Sequence, residues 1–472
     1  MLDTLPLELI EHITRFVGEP GLLNLRQTNR HLHRQTFEAF GKAFFSVVHL
    51  SFCIGTFPRL QAIAEDENLR VFVRELRVGE DICSYEGCRD LLPYNHPLGV
   101  GYHWPREQSG CLDTTASAVS SSEFPFLSSP SAATNIMPLF RHLLASRLTN
   151  CRSLLLSDGC GNRPQQVGST SILSNTDAVH LLLLAGAGLP VTSFRIEFRR
   201  VGAILLGREL PRRVIDSPAF VASWETSLTE LRLGCQLEQD EEQLLSVAAD
   251  LVRRAKALRR LHLQLRLSFA ASDFLRRLAA APEPPPPLTH LDMSSMRGVT
   301  PAALSAFLRR FGDTLQYLHM DYIELEGAGP SATTWPSVFA ECRRHLSRLE
   351  CFTVWALPQG PRAQQWLFDP ILKWDGVPDS GNLEFSVRMV GERYWVNGVR
   401  YKGQAGAAMQ KFLLGLEECA YCPDPQIGPA RAEGYERANC PDEVQIAGRL
   451  RATRIKSKKF HPILDPLSVG FK

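Results

Sequence analysis

The chain has 472 residues, 44% hydrophobic and 22% charged, which excludes whole-chain disorder and collagen-like structure. Lys plus Arg number 52 against 50 Asp plus Glu, a net charge of +2, so no bulk binder of nucleic acid or of a membrane surface is expected. At about 150 residues per domain the length implies two to four domains, or one long repeat array.

Residues 1–45 are expected to form three short helices. The opening MLDTLPLELIEHITRF carries Asp3, Glu8 and Glu11 and no basic region, so it does not read as a secretory signal. Pro6 suits a first helical position, where its missing N–H costs nothing. Leu9, Ile10, Ile13, Phe16 and Val17 then follow the spacing of one apolar helical stripe. Gly18-Glu19-Pro20-Gly21 ends that helix. Leu22, Leu25 and Leu32 carry a second periodicity, with Arg26, Asn29, Arg30, His33 and Arg34 between them.

Strands are expected over 46–52 and 71–78, flanking a polar-faced helix near 57–68; residues 46–80 make a first strand and helix unit. Residues 81–135 are rich in Ser, Thr, Gly and Pro and read as an insertion loop, partly disordered.

From 136 to 375 the chain repeats an apolar-x-x-apolar-x-apolar strand after a helix and a turn. The triplets are Cys151/Leu154/Leu156, Val191/Phe194/Ile196, Leu228/Leu231/Leu233, Leu258/Leu261/Leu263, Leu288/Leu291/Met293, Leu315/Leu318/Met320 and Leu346/Leu349/Cys351. Val73/Leu76/Val78 is an earlier copy, ahead of the insertion. Helices are expected between the strands, over 175–185, 240–257, 272–281, 301–311 and 336–346. Thr300-Pro301 reads as a capped helix start, and PEPPPP at 282–287 forbids helix. One such unit cannot bury its own apolar face; stacked units share a parallel sheet and a continuous core. The longest apolar run, Ala178 to Leu189, is shorter than the roughly 20 residues that span a bilayer, so no membrane is expected.

Residues 376–416 read as a hairpin and helix closing the repeats, with strands around 383–402, a turn at Asn397-Gly398 and a helix over 404–416. The tail 417–472 is polar and expected to be partly disordered. Its segment RLRATRIKSKKFH reads either as a nuclear-import patch or as a solvated tail.

The segment 5–34, LPLELIEHITRFVGEPGLLNLRQTNRHLHR, resembles an F-box. Leu5, Pro6, Glu8, Leu9, Ile13, Val17, Leu22 and Leu25 fall in register on the family pattern. The region behind it is similar to the irregular leucine-rich repeats of fungal-type F-box proteins. The regular repeat places Asn or Cys three positions after the last strand residue; here Gly159, Arg199, Gln236, Arg266, Met296 and Ile323 stand there, so no Asn ladder forms. The fold class that the resemblance implies is a small α-helical F-box followed by an α/β solenoid with a parallel sheet. The function it implies is substrate recognition in a Skp–cullin–F-box ubiquitin ligase. The adaptor-binding residues would be Leu5, Pro6, Leu9, Ile10, Ile13, Val17, Leu22 and Leu25. The partners would be a Skp-type adaptor, through it a cullin ligase, and a target protein bound by the repeats. The alternative is a repeat scaffold working outside a ligase, with the helices as its cap.

Twelve scattered Cys do not make a disulfide framework, which points to a reducing, cytoplasmic or nuclear setting. Cys419 and Cys422, with Cys440 and His461, lack the second tight ligand couple of a zinc site, so no metal is expected. Phosphate-cradling and nucleophile-elbow motifs are missing from the sequence. No cofactor and no intrinsic enzymatic activity are therefore expected. Arg199, Arg200, Arg208, Arg212 and Arg213 read either as a basic lane for a target or as solvated faces.

Overall fold

The computed structural model describes residues 5–50, 56–79, 142–157, 188–197, 215–236, 241–266, 271–326, 334–359, 364–368, 383–390, 393–403 and 405–421. The chain divides into two compact units, residues 1–261 and 262–472. Each is α/β, and the sheets are mostly parallel.

Unit 1 opens with four helices where three are expected: α1 (Leu7–Phe16), α2 (Glu19–Thr28), α3 (Arg30–Gln35) and α4 (Phe37–Phe45). Asn29 ends α2 in extended backbone and caps α3, its Oδ1 accepting the Leu32 N–H at 2.8 Å. The fourth helix forms because Phe40, Phe44 and Phe45 give FEAFGKAFF an apolar side, which it buries. A Cβ at Gly41 would run into the Phe72 ring, so glycine lets α4 pack directly on the turn before the second strand.

The strands β1 (Val47–Leu50), β2 (Glu75–Gly79), β3 (Ser153–Ser157), β4 (Ser193–Glu197) and β5 (Glu230–Gln236) then pair in parallel, in chain order. β6 (Arg260–Arg266) spans the border between the units. Helices α5 (Thr56–Glu65), α6 (Pro218–Ser227) and α7 (Glu241–Arg254) lie between strands. Helix α6 is not among the expected helices, although Ser217-Pro218 is a capped start like Thr300-Pro301; PAFVASWETS carries a single apolar i, i+4 pair, Phe220 and Trp224. Their rings stack at 4.7 Å, and Trp224 donates its indole N–H to the Leu251 carbonyl of α7 at 2.8 Å.

In unit 2, β7 (His290–Val299), β8 (Tyr317–Leu325) and β9 (Cys351–Trp355) are parallel neighbours. They alternate with α8 (Ala271–Ala279), α9 (Pro301–Arg310) and α10 (Trp335–His345). Thr300 caps α9 through the Ala303 N–H, as its sequence signature predicts. Short strands β10 (Leu357–Gln359) and β11 (Gln364–Phe368) follow, antiparallel to each other, with β10 also touching β8; they are too short to carry an alternating pattern in the sequence. β12 (Leu383–Val390) and β13 (Arg393–Lys402) are antiparallel, and β13 also pairs with β9. Asn397-Gly398 is not the hairpin turn: it lies inside β13. Ser386 faces Gly398 and Val387 faces Val396, so Asn397 is the extra residue of a bulge. Helix α11 (Ala407–Cys419) buries Met409, Phe412, Leu413 and Leu416, with Phe412 stacked on Tyr401 at 4.9 Å. β14 (Ala420–Tyr421) pairs with β11. The insertion 81–135, the expected helix over 175–185 and the tail beyond 421 lie outside the described residues.

The triplets form the core. Except for the half-buried Cys151, every residue of the eight triplets is buried. The stacked strands also share a backbone device. The Ser46 carbonyl accepts both the Arg74 and Glu75 N–H groups, at 2.9 and 3.0 Å. The carbonyls of Arg74, Arg152, Thr192 and Thr229 each do the same for the next strand of unit 1. Thr289 and Gln316 repeat it in unit 2. This bifurcated carbonyl rung at each strand start satisfies buried backbone where no Asn ladder exists.

Candidate docking surface

Helix α1 has two unlike sides. Its first bonds run from the Leu9 and Ile10 N–H groups to the Pro6 carbonyl, which puts Pro6 at the cap, one residue ahead of the first turn. Ile10 turns inward and is 1% exposed. Leu7 at 43%, Leu9 at 50% and Phe16 at 77% remain open, and Phe16 meets the rest of the chain edge-on at His12, 5.0 Å away. Three of the five most exposed large apolar side chains among the described residues therefore sit on one ten-residue helix.

The expected docking residues divide accordingly. Pro6 and Leu9 are exposed, while Leu5, Ile13, Val17 and Leu25 are half-buried. Ile10 and Leu22 face the helical core and support the ridge from beneath instead of belonging to its surface. Phe16 joins Leu9 on the open side, whereas Leu7 is exposed on the other side of the first turn. The apolar periodicity included Phe16 in the stripe, but periodicity alone does not tell which half of a wide stripe a four-helix core covers.

Arg26 holds the helices below the ridge. It donates to the His33 carbonyl at 2.9 Å, meets His33 Nε2 at 3.0 Å and lies over the Phe40 and Phe37 rings at 4.0 and 5.6 Å. It is buried, so this cation of the amphipathic pattern is a strut between α2, α3 and α4.

The five expected target-binding arginines, Arg199, Arg200, Arg208, Arg212 and Arg213, lie outside the described residues. Unit 1 carries a different row. Arg77, Leu155, Arg195 and Arg232 occupy one register across β2, β3, β4 and β5. One rung earlier stand Glu75, Ser153, Ser193 and Glu230. Arg77 pairs with Glu75 at 2.5 Å and Arg195 with Glu230 at 3.1 Å, so the face is of mixed charge. From one strand to the next the members of each row are 37 to 78 residues apart in sequence, and only the parallel register unites them.

Unit 2 has its own polar row. Asp292 of β7 takes His262 of β6 at 2.9 Å (Nδ1 to Oδ2) and His319 of β8 at 3.7 Å (Nδ1 to Oδ1). Burial pushes the His319 imidazole below its ordinary value, against the opposing charge of Asp292. Burial, with the Asp292 charge added, pushes the Asp321 carboxyl up to about 7. Among the described residues no group of three or more His, Cys, Asp or Glu is arranged to hold a metal ion, and no helix is long and apolar enough to cross a membrane.

Compared with known proteins, the chain matches no family model and no curated protein.

Proposed function

We propose that this chain is the substrate-recognition subunit of a Skp–cullin–F-box type ubiquitin ligase, in the cytoplasm or nucleus, with α1 docking on a Skp-type adaptor and the α/β repeats holding a target protein. The observation that carries the reading is the exposed apolar pair Leu9 and Phe16, two turns apart on the same side of a helix that Ile10 anchors to the core, with Pro6 and Leu7 also exposed at its start. Fully burying each large apolar side chain on a partner is worth roughly 1.5–3 kcal/mol, so a few such anchors suffice for a specific interface. The F-box-like order of residues 5–34 and the buried triplets behind it agree with that assignment. In this role the chain supplies position only: it brings the target to ubiquitin carried by other subunits.

One feature favours the scaffold reading for part of the helical region. Packing of α4 on Phe72 makes it a lid on the first strand unit, so α4 caps the repeats whatever α1 binds. The test is co-purification of a Skp-type adaptor with the full chain and with a Leu9→Asp, Phe16→Ser variant. Loss of the adaptor with unchanged circular dichroism is expected. Retention of the adaptor by a folded variant would overturn the reading.

A further inference from the structure

The polar row of unit 2 is built from consecutive strands. Parallel register sets Asp292 beside His319 and Ser294 beside Asp321. His262 and His319 therefore flank Asp292 from either side, and Asp321 follows two residues on along β8.

The backbone fixes this placement. Ser295, Tyr322 and Ala356 all have positive φ, at 53°, 52° and 47°. They stand at equivalent points of three neighbouring strands, each just after the rung that aligns Ser294, Asp321 and Trp355. Non-glycine residues adopt this conformation only at a cost, and here it recurs in register. Each makes an extra residue before the chain returns to the core at Met296, Ile323 and Leu357. Strand alternation ahead of that residue holds Asp321 on the side of the sheet opposite Met293 and Met320.

We propose that His262, Asp292, His319 and Asp321 form a pH-sensitive latch in unit 2: a proton held on Asp321 leaves the Asp292 carboxylate as the row's one negative charge, bonded to His262 and 3.7 Å from His319, and its release to solvent sets a second negative charge near Asp292 and loosens the row. The inference does not rest on a ligase function. Asp292 of β7 supplies the charge that bears on Asp321. His290 and Arg297 lie further along β7, and Arg297 is taken by Glu324 at 3.7 Å. From β9 the neighbours in register are Thr353 and Trp355, neither of them charged. Arg400 of β13 acts on His319, in the same sense as burial. On β8 itself the titratable neighbours are Tyr317, His319, Tyr322 and Glu324. Desolvation of Asp321, augmented by the Asp292 charge, agrees with this geometry.

The chain has only seven methionines, and Met320 sits between His319 and Asp321 while Met293 follows Asp292. NMR of the full chain labelled with 13C-methyl methionine reads the latch directly, with the two signals assigned by Met→Leu variants. Both are expected to shift in one step between about pH 6 and 8, and Asp321→Asn is expected to abolish that step. Hydrogen exchange of segments 290–299 and 317–325 in the unmodified chain provides a second reading. After correction for intrinsic rates it is expected to accelerate about tenfold across the same interval. Flat methionine shifts, a step that survives in Asp321→Asn, or unchanged protection would each overturn the proposal.

Discussion

Arg26 lies over Phe40, its guanidinium carbon 4.0 Å from the ring centroid, while the same side chain reaches the His33 carbonyl. A buried cation that spends its hydrogen bonds and its charge inside three helices is a structural part, whatever the helices bind. Arg26→Ala is expected to destabilise unit 1 by about 2–3 kcal/mol, with Arg26→Lys intermediate because an ammonium cannot use the fork. Urea denaturation followed by circular dichroism measures it, and a midpoint equal to that of the unmodified chain counts against the strut.

The two sides of α1 predict opposite behaviour for adjacent residues. Ile10→Ala removes a buried side chain and is expected to cost about 2–4 kcal/mol. Leu9→Ala and Phe16→Ser act on exposed positions and are expected to stay within about 0.5 kcal/mol of the unmodified chain. Thermal melts of the three variants test the division, independently of any adaptor.

Ser272 ties successive repeats together at α8 and the end of β7. Its hydroxyl donates to the Gly298 carbonyl at 2.8 Å and accepts the Thr300 N–H at 2.6 Å. Gly298 has φ 64°, which glycine takes without strain. Ser272→Ala orphans both backbone groups and is expected to cost about 1–3 kcal/mol. Denaturant midpoints for Ser272→Ala and Ser272→Thr compare loss with retention of the hydroxyl; indistinguishable midpoints would remove the tie.

Asp321 gives stability a definite pH slope. Its folded value of about 7 stands above its ordinary 3.8, so the folded chain keeps a proton that the unfolded chain releases. The stability this confers is fully present below the ordinary carboxylate value and is lost as pH rises through about 7. Urea midpoints are therefore expected to fall between about pH 4 and 7 relative to Asp321→Asn and to run parallel above it. His319 adds an opposite trend at the acid end: its imidazole is held below its ordinary value, so protonation there opposes the fold. Curves for the two proteins that stay parallel across the whole range would contradict the assignment.

The apolar triplets were legible in sequence because a strand with one buried side must repeat its large residues at short, fixed steps. That alternation alone located eight strands, and Leu231, Leu263 and Leu318 lie buried where it placed them. The stripe from Leu9 to Val17 and the cap at Thr300 were legible for the same reason, since both are local patterns. What lay beyond reading was set by distance along the chain. Asn397-Gly398 has the chemistry of a turn, but pairing with β9 and β12 made it a bulge. Arg26 stands in the sequence among the polar residues between Leu22, Leu25 and Leu32, and only the packing of α3 and α4 buries it. The rows Arg77, Arg195, Arg232 and His262, Asp292, His319 exist only because parallel strands align residues that no sequence window contains. Local periodicity thus fixed which side chains are buried, whereas neighbours across the sheet depend on register, which the packed core of each unit decides.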